Sequence, residues 1–133
     1  MGAIEEKSFA FAVEIVKTVK DMRTKHQEYD LTRQLMRSGT SIGANVSEAK
    51  GAQSTRDFIA KLSIASKEAQ ETRYWIRLLR ATGYLEESDG SDLLRKAEEL
   101  VRMLTSSVKT LQKKETQDSK LKTQNSHQRE ALE

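Results

Sequence analysis

The sequence predicts an all-α protein: an antiparallel up-down-up-down four-helix bundle with a polar C-terminal tail. Three observations predict it. The 133 residues include no proline and only 5% aromatic residues, a mix that suits long helices better than turn-rich sheets. Apolar residues recur at three- and four-residue steps in four separate segments. The breaks between those segments are short, which favours antiparallel neighbours. A chain of this length supports one hydrophobic core, so a single bundle is expected over residues 1–113, with residues 114–133 as a flexible polar tail.

Helix one is expected at about 4–25. Phe9, Val13 with Ala12, Val16 and Val19 make its stripe; Glu5 and Glu6 sit near its start and Lys20, Arg23 and Lys25 near its end, as the helix dipole prefers. Helix two, about 30–52, begins where Asp30 or Thr32 can cap and carries Leu31, Leu35, Ser38, Ile42, Val46 and Ala49. Helix three, about 55–82, has the most regular seam: Phe58, Leu62, Ala65, Ala69, Thr72, Ile76 and Leu79 alternate fours and threes. Gly83 is placed to end it in a left-handed cap. Helix four, about 88–113, carries Leu93, Leu94, Ala97, Val101, Leu104, Val108 and Leu111, and beyond Lys114 the apolar period fades.

Composition narrows the function classes. No cysteine is present, so disulfides and thiolate zinc sites are excluded and a cytoplasmic protein is expected. No apolar run reaches the ~20 residues that span a bilayer, so no membrane role is expected. The acidic start, Glu5 and Glu6, is unlike a signal peptide. The formal charge of +3 is compatible with nucleic-acid binding but too small to argue for it, so the placement of the charges must decide.

The stretch "RSGTSIGANVSEAKG", Arg37 to Gly51, poses the sharpest question. A Walker-type phosphate loop needs glycines five apart followed by Lys and Ser or Thr, between a strand and a helix. Here Gly39 and Gly43 are four apart, Ala44-Asn45 follows, and no strand precedes them. Gly39, Gly43 and Ser47 instead lie along one edge of helix two, beside Ile42 and Val46. Interior glycine costs a helix about 1 kcal/mol relative to alanine, so two of them point to close backbone approach, within the bundle or between subunits. Asn45 falls beside the apolar stripe and is expected to find partners among Glu68, Glu71 and Thr72, fixing helix register.

Catalytic constellations are missing. His26 and His127 lack neighbours at metal-ligand spacing, the Glu-x-x-His diiron signature is absent, and Asp57, Glu68 and Glu71 read as surface charges among lysines. Neither an enzyme nor a cofactor or metal is expected. Basic residues are better organised. Arg73, Arg77 and Arg80 step by four and three along helix three, Arg33 and Arg37 make a shorter pair on helix two, and Arg95, Arg102, Lys109 and Lys113 share a face of helix four interrupted by Glu99. Such rows suit phosphate backbones. Trp75 reads as a core or interface residue rather than a base-stacking platform.

The combination of "RSGTSIGANVSEA" with "DFIAKLSIASKEAQETRYWIRLL" closely resembles the bacterial four-helix-bundle proteins encoded by intervening sequences in large-subunit ribosomal RNA genes, a family that includes the accessory variability determinant of diversity-generating retroelements. The resemblance covers about residues 5–112 and leaves the tail outside. It implies an antiparallel bundle assembled into a ring-like homopentamer. For the retroelement members it also implies a basic surface that binds nucleic acid and a partner reverse transcriptase, matched here to Arg73, Arg77 and Arg80. The expectation is therefore a non-enzymatic homo-oligomer that binds RNA or DNA without reading sequence; the alternative is a helical scaffold that binds a protein partner through its apolar notch or tail.

Overall fold

The computed structural model describes residues 2–132, with side-chain surroundings through His127. It contains α1 (Gly2–His26), α2 (Asp30–Lys50), α3 (Thr55–Ala81) and α4 (Glu87–Leu132), and no strand among the described residues. Each neighbour is antiparallel, as paired contacts show: Glu5 with Lys50 joins the start of α1 to the end of α2. Glu48–Lys61 and Ser38–Thr72 run in opposite order along α2 and α3. Ser66–Thr105 and Arg80–Ser91 do the same for α3 and α4.

The seams of α2 and α3 are those the sequence predicts. Leu35, Ile42, Val46, Leu62, Ala65, Ala69, Ile76 and Leu79 are buried in one cluster with Leu93, Ala97, Leu100 and Leu104 of α4. α1 differs from expectation by a rotation. Ile4, Phe11, Ile15, Val19 and Met22 face the core, whereas Phe9 is 71% exposed and Val13 38%. Of the expected α1 stripe only Val19 is buried in the core. The helix carries two apolar stripes, and the one containing Ile15 faces inward, against the glycines of α2 described below.

The helix ends follow local chemistry. Ser54 caps α3, its Oγ accepting from Asp57 N at 3.0 Å. Gly83 closes it at φ +83°, the left-handed conformation that glycine adopts without strain, while Tyr84 N and Leu85 N donate to Leu79 O. α2 begins differently from the expected cap. The Glu28 carboxylate, one residue before the N-cap position Tyr29, accepts from the backbone N–H groups of Asp30, Leu31 and Thr32. α2 ends at Lys50, with Gly51 as its C-cap, slightly short of the expected boundary. α4 runs on as one helix of 46 residues through the segment read as a polar tail; nothing in it breaks a helix, since the last glycine is Gly90 and proline is absent.

Candidate nucleic-acid interface

The expected arginines divide by their partners. Arg77 is exposed and Arg73 half-buried on the side of α3 that meets α4, and neither joins an ion pair among the described residues. The register set by Ser66–Thr105 and Arg80–Ser91 brings Arg73 opposite Glu98 of α4, with no ion pair between them. Arg80 is engaged. Its aliphatic stem lies over Gly90, where an added Cβ would come within 2.8 Å of Cδ, and its Nη1 donates to Ser91 Oγ at 3.1 Å. Its Nε lies 4.0 Å from Glu87.

Arg33 and Arg37 also have carboxylates. Arg33 is 3.7 Å from Asp30 of its own first turn. Arg37 crosses to α3, with Nη1 3.2 Å from Glu68 Oε2 and Nη2 hydrogen-bonded to Glu71 Oε2. Glu71 binds the guanidinium most strongly and holds it more firmly protonated, against partial desolvation. At Glu68 burial dominates and, helped by the neighbouring Glu71, pushes the carboxyl up although Arg37 pulls it down. This cluster fastens α2 to α3.

The small-residue edge faces α1 of the same chain. A Cβ on Gly39 would meet Ile15 Cγ1 at 2.8 Å and Cγ2 at 2.9 Å, and one on Gly43 would lie 3.2 Å from the Ser8 carbonyl oxygen. The glycines are the space that Ile15 and the backbone of α1 occupy. Ser47, the third residue of that edge, is exposed. Asn45 turns inward on its own helix, Nδ2 donating to Ser41 O at 2.8 Å, so the expected reach to Glu68, Glu71 or Thr72 is not made. The polar link across that seam is Ser38 to Thr72. Trp75 packs half-buried against the core, edge-on to Tyr74, with its Nε1 buried and without a hydrogen-bond partner among the described residues.

Two other surfaces escaped the sequence reading. Phe9 and Val13 stand exposed on α1, and Phe9 lies beside Gly43 of α2, whose added Cβ would come within 3.6 Å of the Phe9 backbone nitrogen. The signal was available, since α1 has more apolar residues than one stripe holds. Between α1 and α4 an open groove of about 230 Å³ is lined by Ala10, Phe11 and Leu100 and flanked by the Lys7–Glu99 and Lys96–Glu14 pairs. On α4, Arg95 pairs with Asp92 at 2.9 Å, whereas Arg102, Lys109 and Lys113 are exposed with no ion pair among the described residues. His26 is exposed and edge-on to Tyr84. Among the described residues no cluster of three or more His, Cys, Asp or Glu could hold a metal, and no helix is long and apolar enough to cross a membrane.

Comparison with known proteins agrees with the fold. Residues 3–106 match the family described as 23S rRNA-intervening sequence protein. A solved structure from Bacteroides thetaiotaomicron, described as a protein of unknown function from the S23 ribosomal protein family, is 43% identical and superposes with a TM-score of 0.78. The match covers 80% of this chain and 98% of that one. No protein of curated function matches.

Proposed function

The chain belongs to the 23S rRNA-intervening sequence protein family, and from that membership together with the uncommitted arginines of α3 we propose a non-enzymatic, cytoplasmic homo-oligomer that binds nucleic acid through its phosphates without reading sequence. The observation that carries the reading is the contrast along one row. Arg80 is held by Ser91 and Gly90, while Arg73 and Arg77 have no carboxylate partner among the described residues and offer guanidinium forks suited to bidentate phosphate contacts. Arg33 and Arg37 play a lesser part in this reading, because binding a phosphate there means giving up Asp30, or Glu68 and Glu71.

Self-association is part of the same proposal. The exposed Phe9 and Val13 support an interface on the α1 side, and a homopentamer is the assembly that the resemblance implies. Phe9→Glu then lowers the oligomer mass in sedimentation while leaving helicity intact; an unchanged mass removes that face from the interface.

Fluorescence anisotropy with structured RNA at low and moderate salt tests the binding. The expected result is saturable, salt-weakened binding that an Arg73→Ala/Arg77→Ala variant loses. Arg80 stays in place in that variant because its stem packs the α3–α4 turn. Equal affinity of the variant removes the arginine row, and no saturable binding at either salt leaves the scaffold alternative.

A further inference from the structure

We propose that the C-terminal part of α4, from Arg102 onward, is a second binding element, an arm whose cationic face lies along the phosphates of a nucleic-acid duplex. The ligand class rests on the reading above, but the surface is separate and belongs to a different helix. Arg102, Lys109, Lys113 and Lys120 follow one another at steps of seven, four and seven, which keeps all four within a sector of about 40° on a helix of 3.6 residues per turn. His127 continues the line. The two carboxylates of this stretch, Glu115 and Asp118, fall on the opposite side. Thr116 and Thr123, which lie between the charges, turn their hydroxyls back to Gln112 O and Ser119 O at 2.9 and 3.0 Å, and the exposed Gln117 and Gln124 beside them add neutral donors rather than opposing charge.

Within the bundle Lys7, Lys25, Lys50, Lys61 and Lys96 each meet a carboxylate, while the exposed Lys17, Lys20 and Lys67 are scattered without an ion pair among the described residues. On the arm Lys109, Lys113 and Lys120 are exposed and meet no carboxylate among the described residues. The arm is also an addition to the shared fold, because the family match ends at residue 106 and the solved relative is covered almost to its full length by 80% of this chain. By the register of Ser66 with Thr105, α4 passes the start of α3 at about residue 116, so Arg102, Lys109 and Lys113 stand on the outer face of the packed part and Lys120 lies beyond it, where α4 continues with no helix beside it among the described residues. A polar helix with no core to bury gains little from its own chain, and a partner that neutralises its charge stabilises it.

The chemistry selects the partner. Beyond Leu111 the only large exposed apolar side chain is Leu121 among the described residues, too little for a helix-binding groove or for insertion at a lipid surface. No aromatic residue follows Tyr84, which removes the stacking platforms that single strands use. What remains is a straight row of point charges spanning about 27 Å from Arg102 to Lys120 at 1.5 Å per residue, matched to about eight base pairs of duplex at 3.4 Å. Such a row tracks backbone phosphates and reads no bases.

Anisotropy titrations of the full chain against 20-base-pair DNA and RNA duplexes over a salt series test the arm with Lys109→Gln/Lys113→Gln/Lys120→Gln beside Arg73→Ala/Arg77→Ala. Glutamine keeps the helix propensity of lysine, and circular dichroism checks that helicity is unchanged. The expected result is an affinity at least about tenfold lower at low salt, and a log–log salt slope smaller by about 3. The Lys→Arg triple variant at the same positions retains binding. Unchanged affinity and slope in the glutamine variant, with binding lost in the Arg73/Arg77 variant, overturns the arm and leaves the functional reading standing. Loss in the glutamine variant alone supports the arm and removes the α3 row. No saturable binding by the unmodified chain overturns both, and tighter binding to phosphatidylserine vesicles than to either duplex overturns the ligand assigned to the arm.

Discussion

Ser38 Oγ and Thr72 Oγ1 lie 3.0 Å apart, fully buried between α2 and α3. Thr72 Oγ1 also lies 2.7 Å from Glu68 O, and Ser38 Oγ 3.5 Å from Leu35 O, so one proton of the pair closes on its own helix while the other bridges the two. A polar rung in an otherwise apolar seam specifies register, because sliding either helix breaks the bridging bond and sets each buried hydroxyl against apolar side chains. Thr72→Val, which keeps the shape, is expected to cost about 1 kcal/mol in urea denaturation. Adding Ser38→Ala is expected to cost less than the two single losses together, since both remove the same bond; full additivity within about 0.3 kcal/mol would separate the two hydroxyls energetically.

Gly39 sets the distance between α1 and α2. Alanine there gains about 1 kcal/mol of helix propensity but drives its Cβ into Ile15, which is completely buried and has nowhere to go. Overpacking of this kind costs about 1–3 kcal/mol, so Gly39→Ala is expected to destabilise, and Gly39→Ala/Ile15→Ala to recover part of the loss from the Ile15→Ala background. At Gly43 the obstacle is the Ser8 carbonyl, backbone that no rotamer change can move. Gly43→Leu is therefore expected to unfold the bundle. Thermal melting with an unchanged midpoint would refute the close-packing account.

How much of this was legible in the sequence depended on how many answers each helix allowed. α2 and α3 each carry one apolar stripe, and Leu35, Ile42, Leu62 and Ile76 could face only inward. α1 carries two, and the choice between them shows only across helices, where Ile15 meets Gly39 and the backbone of Ser8 and Phe9 meets Gly43. The arginine row was legible as a row, yet its division was not, because Ser91 and Gly90 approach Arg80, and Glu71 approaches Arg37, only after the chain has turned back on itself. The same holds for Asn45: its spacing placed it near the seam, but local geometry offered Ser41 O first.

Glu28 gives the α1–α2 turn a pH dependence. Partial burial raises its carboxyl, but the N–H groups of Leu31, Thr32 and Asp30 outweigh it, and the net effect holds Glu28 below its ordinary value of 4.5. A depressed folded pKa contributes stability above the unfolded value and loses it as pH falls through the folded one. Glu28→Ala is expected to lose about 1 kcal/mol at pH 7, as for other helix N-caps, and the gap to the unmodified protein is expected to close as pH falls below about 4. A gap that persists at pH 3 would assign the loss to packing.

Glu68 carries the opposite sign. Its carboxyl is raised above 4.5 mainly by burial, with Glu71 adding to the shift and Arg37 opposing it. A raised folded pKa favours the native state below the unfolded value, and that contribution disappears as pH rises through the folded one. Glu71 differs, being the partner that dominates the binding of Arg37. Glu68→Gln, which keeps the size and one acceptor for Arg37, is therefore expected to leave stability at pH 7 unchanged or slightly raised, with any difference shrinking toward acid pH, about pH 4, where an ordinary glutamate protonates. Glu71→Gln is expected to lose up to about 1 kcal/mol at pH 7, the scale of an exposed ion pair. Urea denaturation of both variants at the two pH values separates the roles: equal losses at pH 7 would make the two carboxylates interchangeable and remove the asymmetry that burial imposes on this cluster.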